Sequence, residues 1–365
     1  MTETEFLKDY LNAHSPVGGE KEGQDIWCKF VEQYAKVRRD PYGTAVATLF
    51  GELEDLSDVE FGEEIEIPPK VVIEAHCDEI AWCVSYIESD GYIRVKRAGG
   101  SDNMIAASMP VIIHSHDGKK IPGVFGHPAV HTREKYTEMS PEVDSLWIDT
   151  GLPSKEAVLT AGVEVGCLIT FNVPFYELGD YYVGKALDNK IGGYIIAMAL
   201  KTLKEEECKL PYDLYVVNSV QEEVGLYGAK RIAKELQAQV AIVHDVTHNT
   251  SHPKMNKAKE GDIKGGEGPC LEFTAQNHRG LNSLIRGVAK SSGIPLQLAV
   301  GSFGNDTTAF FLENTTTAII ATPLKYMHTT VEMAHKKDVE NCITLFVEFL
   351  KSLTREQIKE ISSFK

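Results

Sequence analysis

Leu214-Tyr215-Val216-Val217-Asn218-Ser219-Val220-Gln221-Glu222-Glu223-Val224-Gly225-Leu226-Tyr227-Gly228 reads as an apolar strand closed by two adjacent glutamates, then by glycine and a helical stretch. A strand of this kind delivers charge where its carboxyl end meets a crevice. Successive strand residues point to opposite sides, so the two carboxylates are expected to do different work.

Working outward, strands and helices alternate. A helix over 190–203, a strand over 214–220, a helix over 229–236 and a strand over 240–244 are followed by a helix over 282–291 and a strand over 296–300. A helix from Thr307, a strand over 317–321 and a helix over 338–353 complete the series. This pattern predicts an α/β fold, with a mostly parallel mixed sheet flanked by helices. Upstream, Phe6, Leu7, Tyr10 and Leu11, then Ile26, Trp27, Phe30 and Val31, have the spacing of two amphipathic helices. A hairpin is expected around residues 40–43. A buried strand at residues 71–75 delivers His76-Cys77-Asp78-Glu79. Residues 85–174 change texture to short strands and turns, as an inserted small β-barrel-like domain would. The expected division is therefore a first part at 1–84, an inserted β domain at 85–174, and a second part at 175–365.

The 365 residues carry 43% hydrophobic and 25% charged side chains and a net charge of -16. That balance argues against nucleic acid or an anionic membrane as partner, because both call for a basic surface. Residues 51–69 hold eight acidic side chains and no lysine or arginine, the composition of a solvated acidic loop. The seven cysteines are scattered and never form a Cys-x-x-Cys pair, which argues for reduced thiols. The N-terminus lacks an apolar core of signal-peptide length, and no apolar run is long enough to span a membrane. A cytoplasmic location is the expectation.

Candidate metal ligands gather at the ends of the expected strands. His76 and Asp78 follow the strand over 71–75, Asp188 precedes the helix over 190–203, and Asp245 follows the strand over 240–244. His328 follows the strand over 317–321, and Glu222 and Glu223 complete the set. Carboxylates with two imidazoles and no thiolate are the wrong mixture for a structural zinc site. They suit two divalent ions sharing a carboxylate, with a free carboxylate beside them to act as general base.

His76-x-Asp78-Glu79, Ala186-Leu187-Asp188-Asn189, Gln221-Glu222-Glu223-Val224-Gly225, Asp245-Val246-Thr247-His248 and Tyr326-Met327-His328, in this order, resemble the tetrahedral aminopeptidase family of co-catalytic metalloaminopeptidases. That family includes deblocking and glutamyl aminopeptidases, and some of its members are named cellulases. The resemblance covers nearly the whole chain, and it implies a zinc-peptidase-like three-layer sandwich, with 1–84 and 175–365 as the two parts of the catalytic domain and 85–174 as a dimerisation domain. It further implies that His76 and Asp245 bind one metal, Glu223 and His328 the other, and that Asp188 bridges them. Glu222 is then the general base, and Asp78 orients His76 through its far ring nitrogen. A cis link between Asp188 and Asn189, two divalent ions per subunit (zinc or cobalt), peptide substrates and homo-oligomers from dimer to dodecamer are also implied.

Three places depart from the family pattern: Cys77 where methionine is common, residues 301–307 where relatives carry a glycine-rich turn, and the long acidic stretch. Asp306 is a candidate for shaping the substrate pocket. His244 and His248 flank Asp245, and a strand followed by a turn does not bring them together; His248 is the better candidate for a partner behind the ligands. His114 and His116 are expected at the surface, and residues 265–268 have the wrong glycine spacing for a phosphate loop. Competing readings are a metal-dependent deacylase or dipeptidase using the same centre, and a scaffold without chemistry. A cellulase is the weakest reading, because metal ligation occupies the carboxylates that glycoside hydrolysis needs.

Overall fold

The computed structural model describes residues 1–51, 67–133, 141–301 and 304–363. Most of the acidic stretch, residues 52–66, and Ser302 and Phe303 of the 301–307 segment therefore lie outside the described residues. Helices α1 (Glu3–Asn12) and α2 (Lys21–Val31) open the chain. Thr2 and Glu5 form a capping box that starts α1. The apolar spacing becomes packing, with the Phe6 and Phe30 rings stacked at 4.1 Å. Strands β1 (Lys36–Arg39) and β2 (Ala45–Leu49) form the expected hairpin, and β3 (Lys70–His76) follows.

Next come β4 (Ala81–Ile87), β5 (Ile93–Ala98), α3 (Asn103–Ala106), β6 (Pro110–His114), β7 (Lys120–Phe125), β8 (Ile148–Asp149), α4 (Lys155–Thr160) and β9 (Leu168–Phe171). These six strands close into a barrel in the order β4-β5-β8-β7-β6-β9. Its interior is filled by Trp82, Val95, Val111, Ile113, Phe125, Ile148 and Ile169. The first barrel strand crosses position 85. His114 is half-buried rather than exposed, because Thr170 of β9 holds its ring at 2.9 Å, while His116 is exposed as expected.

The remainder is β10 (Tyr176–Leu178), β11 (Tyr181–Gly184), α5 (Leu187–Glu205), β12 (Asp213–Ser219), α6 (Tyr227–Leu236), β13 (Val240–His248), α7 (Lys257–Glu260), β14 (Cys270–Phe273), α8 (Arg279–Ser291), β15 (Gln297–Val300), α9 (Thr307–Leu312), β16 (Thr316–Lys325), β17 (Glu332–His335), α10 (Lys336–Ser352) and α11 (Arg355–Ile361). Among the described residues an 11-stranded sheet runs β1-β2-β12-β3-β13-β16-β17-β11-β10, with β14 joined to β16 and β15 to β14. Its centre, β12-β3-β13-β16, is parallel, and the outer pairs of that order are antiparallel. Strands β10, β11, β14 and β17 are only three or four residues each, too short to show a period in the sequence. The 265–268 loop does hold an anion, but it is the chain's own: the amides of Gly266 and Gly268 donate to the Asp338 carboxylate at 2.7 Å.

Alternation along the central strands builds the three layers. Val71, Ile73 and Ala75 of β3 pack with α1, α2 and α5, whereas Val72 joins Ala229 and Ile232 of α6 and Phe310 of α9 on the opposite face. Because both faces are covered, the strands read as continuous apolar runs. No described helix is long and apolar enough to cross a membrane, and all seven cysteines are free.

A buried ion cluster ties the end of β3 to the start of α5. The Glu79 carboxylate accepts from Lys185 Nζ at 2.6 Å and from Lys190 Nζ at 3.2 Å, and from the Ser15 amide at 2.8 Å; both lysines also donate to the Ala13 carbonyl. Burial opposes the Glu79 charge, but the two lysines outweigh it and hold the carboxyl well below its ordinary range. Glu79→Gln leaves two buried ammonium groups short of an anion and is expected to destabilise the fold by about 3–5 kcal/mol. The native carboxyl titrates below the unfolded one, so this stabilisation is present above about pH 4.3 and is lost as pH falls below that value. Urea midpoints at neutral and acid pH check this: the gap between wild type and variant should be wide at pH 7 and narrow below about pH 4.

Candidate metal centre

The parallel strands β12, β3, β13 and β16 run in one direction, so their carboxyl ends share one edge of the sheet. His76 ends β3, Asp188 sits in the non-helical first turn of α5, and His328 lies between β16 and β17. Two placements differ from the sequence reading. Asp245 lies within β13, which continues to His248 because it pairs with β16 along its whole length. Glu222 and Glu223 lie in the turn after β12 rather than on it, Gln221 having taken a left-handed φ of 61°. Strand alternation therefore does not separate the two glutamates.

All six side chains line one cavity of about 810 Å³. Asp188 stands at its centre. Its Oδ1 is 3.3 Å from His76 Nε2, and its Oδ2 is 3.3 Å from His328 Nε2. His76 Nε2 also lies 3.9 Å from Asp245 Oδ1, and His328 Nε2 lies 3.2 Å from Glu223 Oε1. Donor atoms of His76, Asp188 and Glu223 all fall within 4.8 Å of one another. Among the described residues no hydrogen bond or ion pair ends on the Glu222 carboxylate.

Two buried carboxylates hold this constellation by its backbone. The Asp78 oxygens accept from the amides of Glu222 and Glu223 at 3.0 and 3.1 Å. The Glu332 oxygens accept from the amides of His328 and Asp188 at 2.7 and 3.1 Å. Bonds of this charge-assisted type contribute about 1.5–3 kcal/mol each. Asp78 also faces His76 Nδ1, which lies 3.2 Å from its carbonyl oxygen and 3.5 Å from Oδ1. Glu332 is the residue that sequence reasoning missed, since a single glutamate in a four-residue strand carries no motif. The barrel closes one side: a Cβ on Gly100, just after β5, would lie 2.9 Å from the His328 ring.

The electrostatics describe a cluster with more acid than it can neutralise. Hydrogen bonds to Asp188 and Glu223 outweigh burial and hold the His328 imidazole up at about 11. Burial works against a charge on His76, yet Asp188 and Asp78 pull its pKa well above the ordinary value. Burial works against Asp188 as well, but the two imidazoles keep its carboxyl low. Burial first, and then neighbouring carboxylates, raise Asp245 and Glu223. Burial, partly offset by His76 and reinforced by Asp306, Asp245 and Glu223, pushes Glu222 up to about 10. Four carboxyls and two imidazoles converging without a thiolate fit divalent cations rather than a structural zinc site.

Of the two histidines flanking Asp245, it is the buried His244 that backs the centre. Its ring lies between Asn189 Oδ1 at 3.1 Å and Thr322 Oγ1 at 2.9 Å, and burial lowers its pKa to about 3. His248 is exposed on the cavity wall. Asp306 is buried before α9, where it accepts from Ser219 Oγ at 3.0 Å rather than lining the cavity. The peptide bond between Asp188 and Asn189 is cis.

Known proteins share this fold. A lysyl aminopeptidase of Pyrococcus furiosus is 28% identical over 368 residues, covering 97% of this chain and 98% of the relative. The structure of aminopeptidase APDkam598 from the archaeon Desulfurococcus kamchatkensis superposes with a TM-score of 0.88 at 29% identity, covering 99% of this chain and 98% of that one. The TET1 peptidase of Pyrococcus horikoshii, described as able to assemble into a tetrahedron or a large octahedral shell, superposes with a TM-score of 0.84 at 26% identity, over 96% of this chain and 100% of that one. Residues 62–345 match the model of the M42 glutamyl aminopeptidase family, and the chain belongs to that family.

Proposed function

We propose that the protein is a metal-dependent aminopeptidase that removes N-terminal residues from peptides. The observation that carries this reading is the Asp188 carboxylate, one oxygen facing each of two imidazoles at 3.3 Å. His76 and Asp245 would hold one divalent cation, Glu223 and His328 a second, and Asp188 both, with zinc or cobalt as the metal. When bound, the cations supply Lewis-acid polarisation of the scissile carbonyl and acidify water.

The residues of the chain do the rest. Glu222 has no ion-pair or hydrogen-bond partner among the described residues and lines the same cavity. It is therefore free to take a proton from the attacking water and to pass it to the leaving nitrogen. Its raised pKa reflects its burial first and the neighbouring carboxylates second, and cations among them favour the ionised form that a base requires. Asp78 and Glu332 hold the backbone at Glu222-Glu223, His328 and Asp188, so that base and ligands stay fixed relative to one another. Assembly into homo-oligomers belongs to the same reading, supported by the TET1 relative.

Glu222→Gln should retain its metal and lose turnover by about 10²–10⁴-fold. Asp188→Ala should lose metal as well as turnover. Metal content by mass spectrometry beside hydrolysis of aminoacyl-p-nitroanilides separates the two, and full activity in a metal-replete Glu222→Gln protein sinks the assignment of the base. Restoring zinc or cobalt to chelator-stripped wild type should restore hydrolysis.

A further inference from the structure

One buried acid of the cavity belongs to neither the ligand set nor its supports. Glu272, on β14, is 3% exposed and lines the cavity that holds Asp188, Glu222 and Glu223. Its position follows from the sheet: β14 lies beside β15 and against β16, which pairs in turn with β13. Thr247 of β13 lines the same cavity and lowers the Glu272 carboxyl slightly against the effect of burial. Thr247 is two residues beyond Asp245, so the two share a face of β13 about 7 Å apart. That offset is comparable to the four-carbon stem of a lysine.

Among the described residues no ion pair reaches Glu272. The two lysines on the cavity wall are already engaged, Lys257 with Asp262 at 2.6 Å and Lys259 with Glu260 at 2.7 Å. Burial raises the Glu272 carboxyl above its ordinary value, as for an anion without a cation beside it. Gly301, after β15, makes the room: a Cβ there would collide with the carboxylate. Ala299 of β15, directly opposite Glu272 in the β14-β15 pairing, lines the same cavity, an apolar surface for an aliphatic stem.

Resting on the aminopeptidase reading, we infer that Glu272 recognises a cationic first side chain, so that the preferred substrates are peptides beginning with lysine or arginine. The stem lies beside Ala299, and its charged end replaces the solvent that Glu272 otherwise faces. The carboxylate stands one strand repeat from the reacting centre and takes no part in bond breaking.

Kinetics of the metal-replete protein on lysyl-, arginyl-, leucyl- and glutamyl-p-nitroanilide test this. Lysyl and arginyl substrates should exceed leucyl in kcat/KM by on the order of 10- to 100-fold, and Glu272→Gln should collapse that ratio. Gly301→Ala, which displaces the carboxylate without removing it, should lower the ratio too. Calorimetry gives a readout without turnover: wild type should bind L-lysinol more tightly than L-norleucinol, and Glu272→Gln should bind them alike. A leucyl or glutamyl preference in wild type overturns the inference while leaving the aminopeptidase reading intact. So does an equal loss on every substrate in Glu272→Gln, which would make Glu272 a holder of the common α-amine. Hydrolysis of no substrate by protein with metal bound overturns the aminopeptidase reading, and the inference with it.

Discussion

The structure depends on a concentration of buried carboxylates at the carboxyl edge of four parallel strands. Asp188, Glu223 and Asp245 face one cavity with Glu222, while Asp78 and Glu332 lie behind them, both buried. Taking one carboxylate out of water has an effective cost of several kcal/mol, so a group of this size is tolerable only if each charge is answered. Two means are visible. Backbone amides answer Asp78 and Glu332 with two hydrogen bonds each. Imidazoles hold the Asp188 carboxyl low and answer Glu223 only in part, so that Glu223, Asp245 and Glu222 all keep raised pKa values. Positive charge from outside the chain is the remaining way to balance the cluster, which is why the donor set fits cations.

The same carboxylates explain an otherwise costly backbone. Ala186, Gln221, Leu226, Tyr326 and His328 all take left-handed φ values between 57° and 62°, a conformation that non-glycine residues adopt at a cost of order 1–3 kcal/mol. They lie at the start of α5, on either side of the Glu222-Glu223 turn and around His328. Asp78 and Glu332 bond to amides in these same segments, so the strain and the bonds that compensate it are local to one another. The buried Lys185-Glu79-Lys190 cluster adds a second anchor where β3 gives way to α5. Ligand positions are thereby fixed by the backbone before any side-chain rotamer is chosen.

What the sequence disclosed follows from this division. Strands of the sheet centre are covered on both faces and read as apolar runs, and the residue types after them are chemically distinctive. His76, Asp188, Glu222, Glu223, Asp245 and His328 were therefore legible, as was the sandwich with a barrel interrupting it. The short strands β10, β11, β14 and β17 were not, since three or four residues are too few to carry a period. Glu332 was lost with one of them, and β13 was read too short because its last four residues are polar or lie beside polar groups. For Asp78 the sequence named one partner, the His76 ring, and gave no hint that its oxygens reach across to a turn more than a hundred positions away, since long-range contacts to backbone amides leave no trace in residue type.

The Glu222-Glu223 pair illustrates why that bond matters. Two glutamates on a strand would diverge by alternation, but these sit in a turn, where nothing periodic separates them. Their amides are instead pinned side by side on the two oxygens of one carboxylate. With the backbone held there, Glu223 reaches His328 at 3.2 Å while Glu222 keeps a carboxylate that no described neighbour claims. On the proposed reading, a ligand and a proton carrier can thus be adjacent in sequence without competing for the same cation. The divergence comes from the Asp78 clamp rather than from the strand, and it holds only while β3 and the turn after β12 stay in register, which the seven-residue parallel pairing of β3 with β12 enforces.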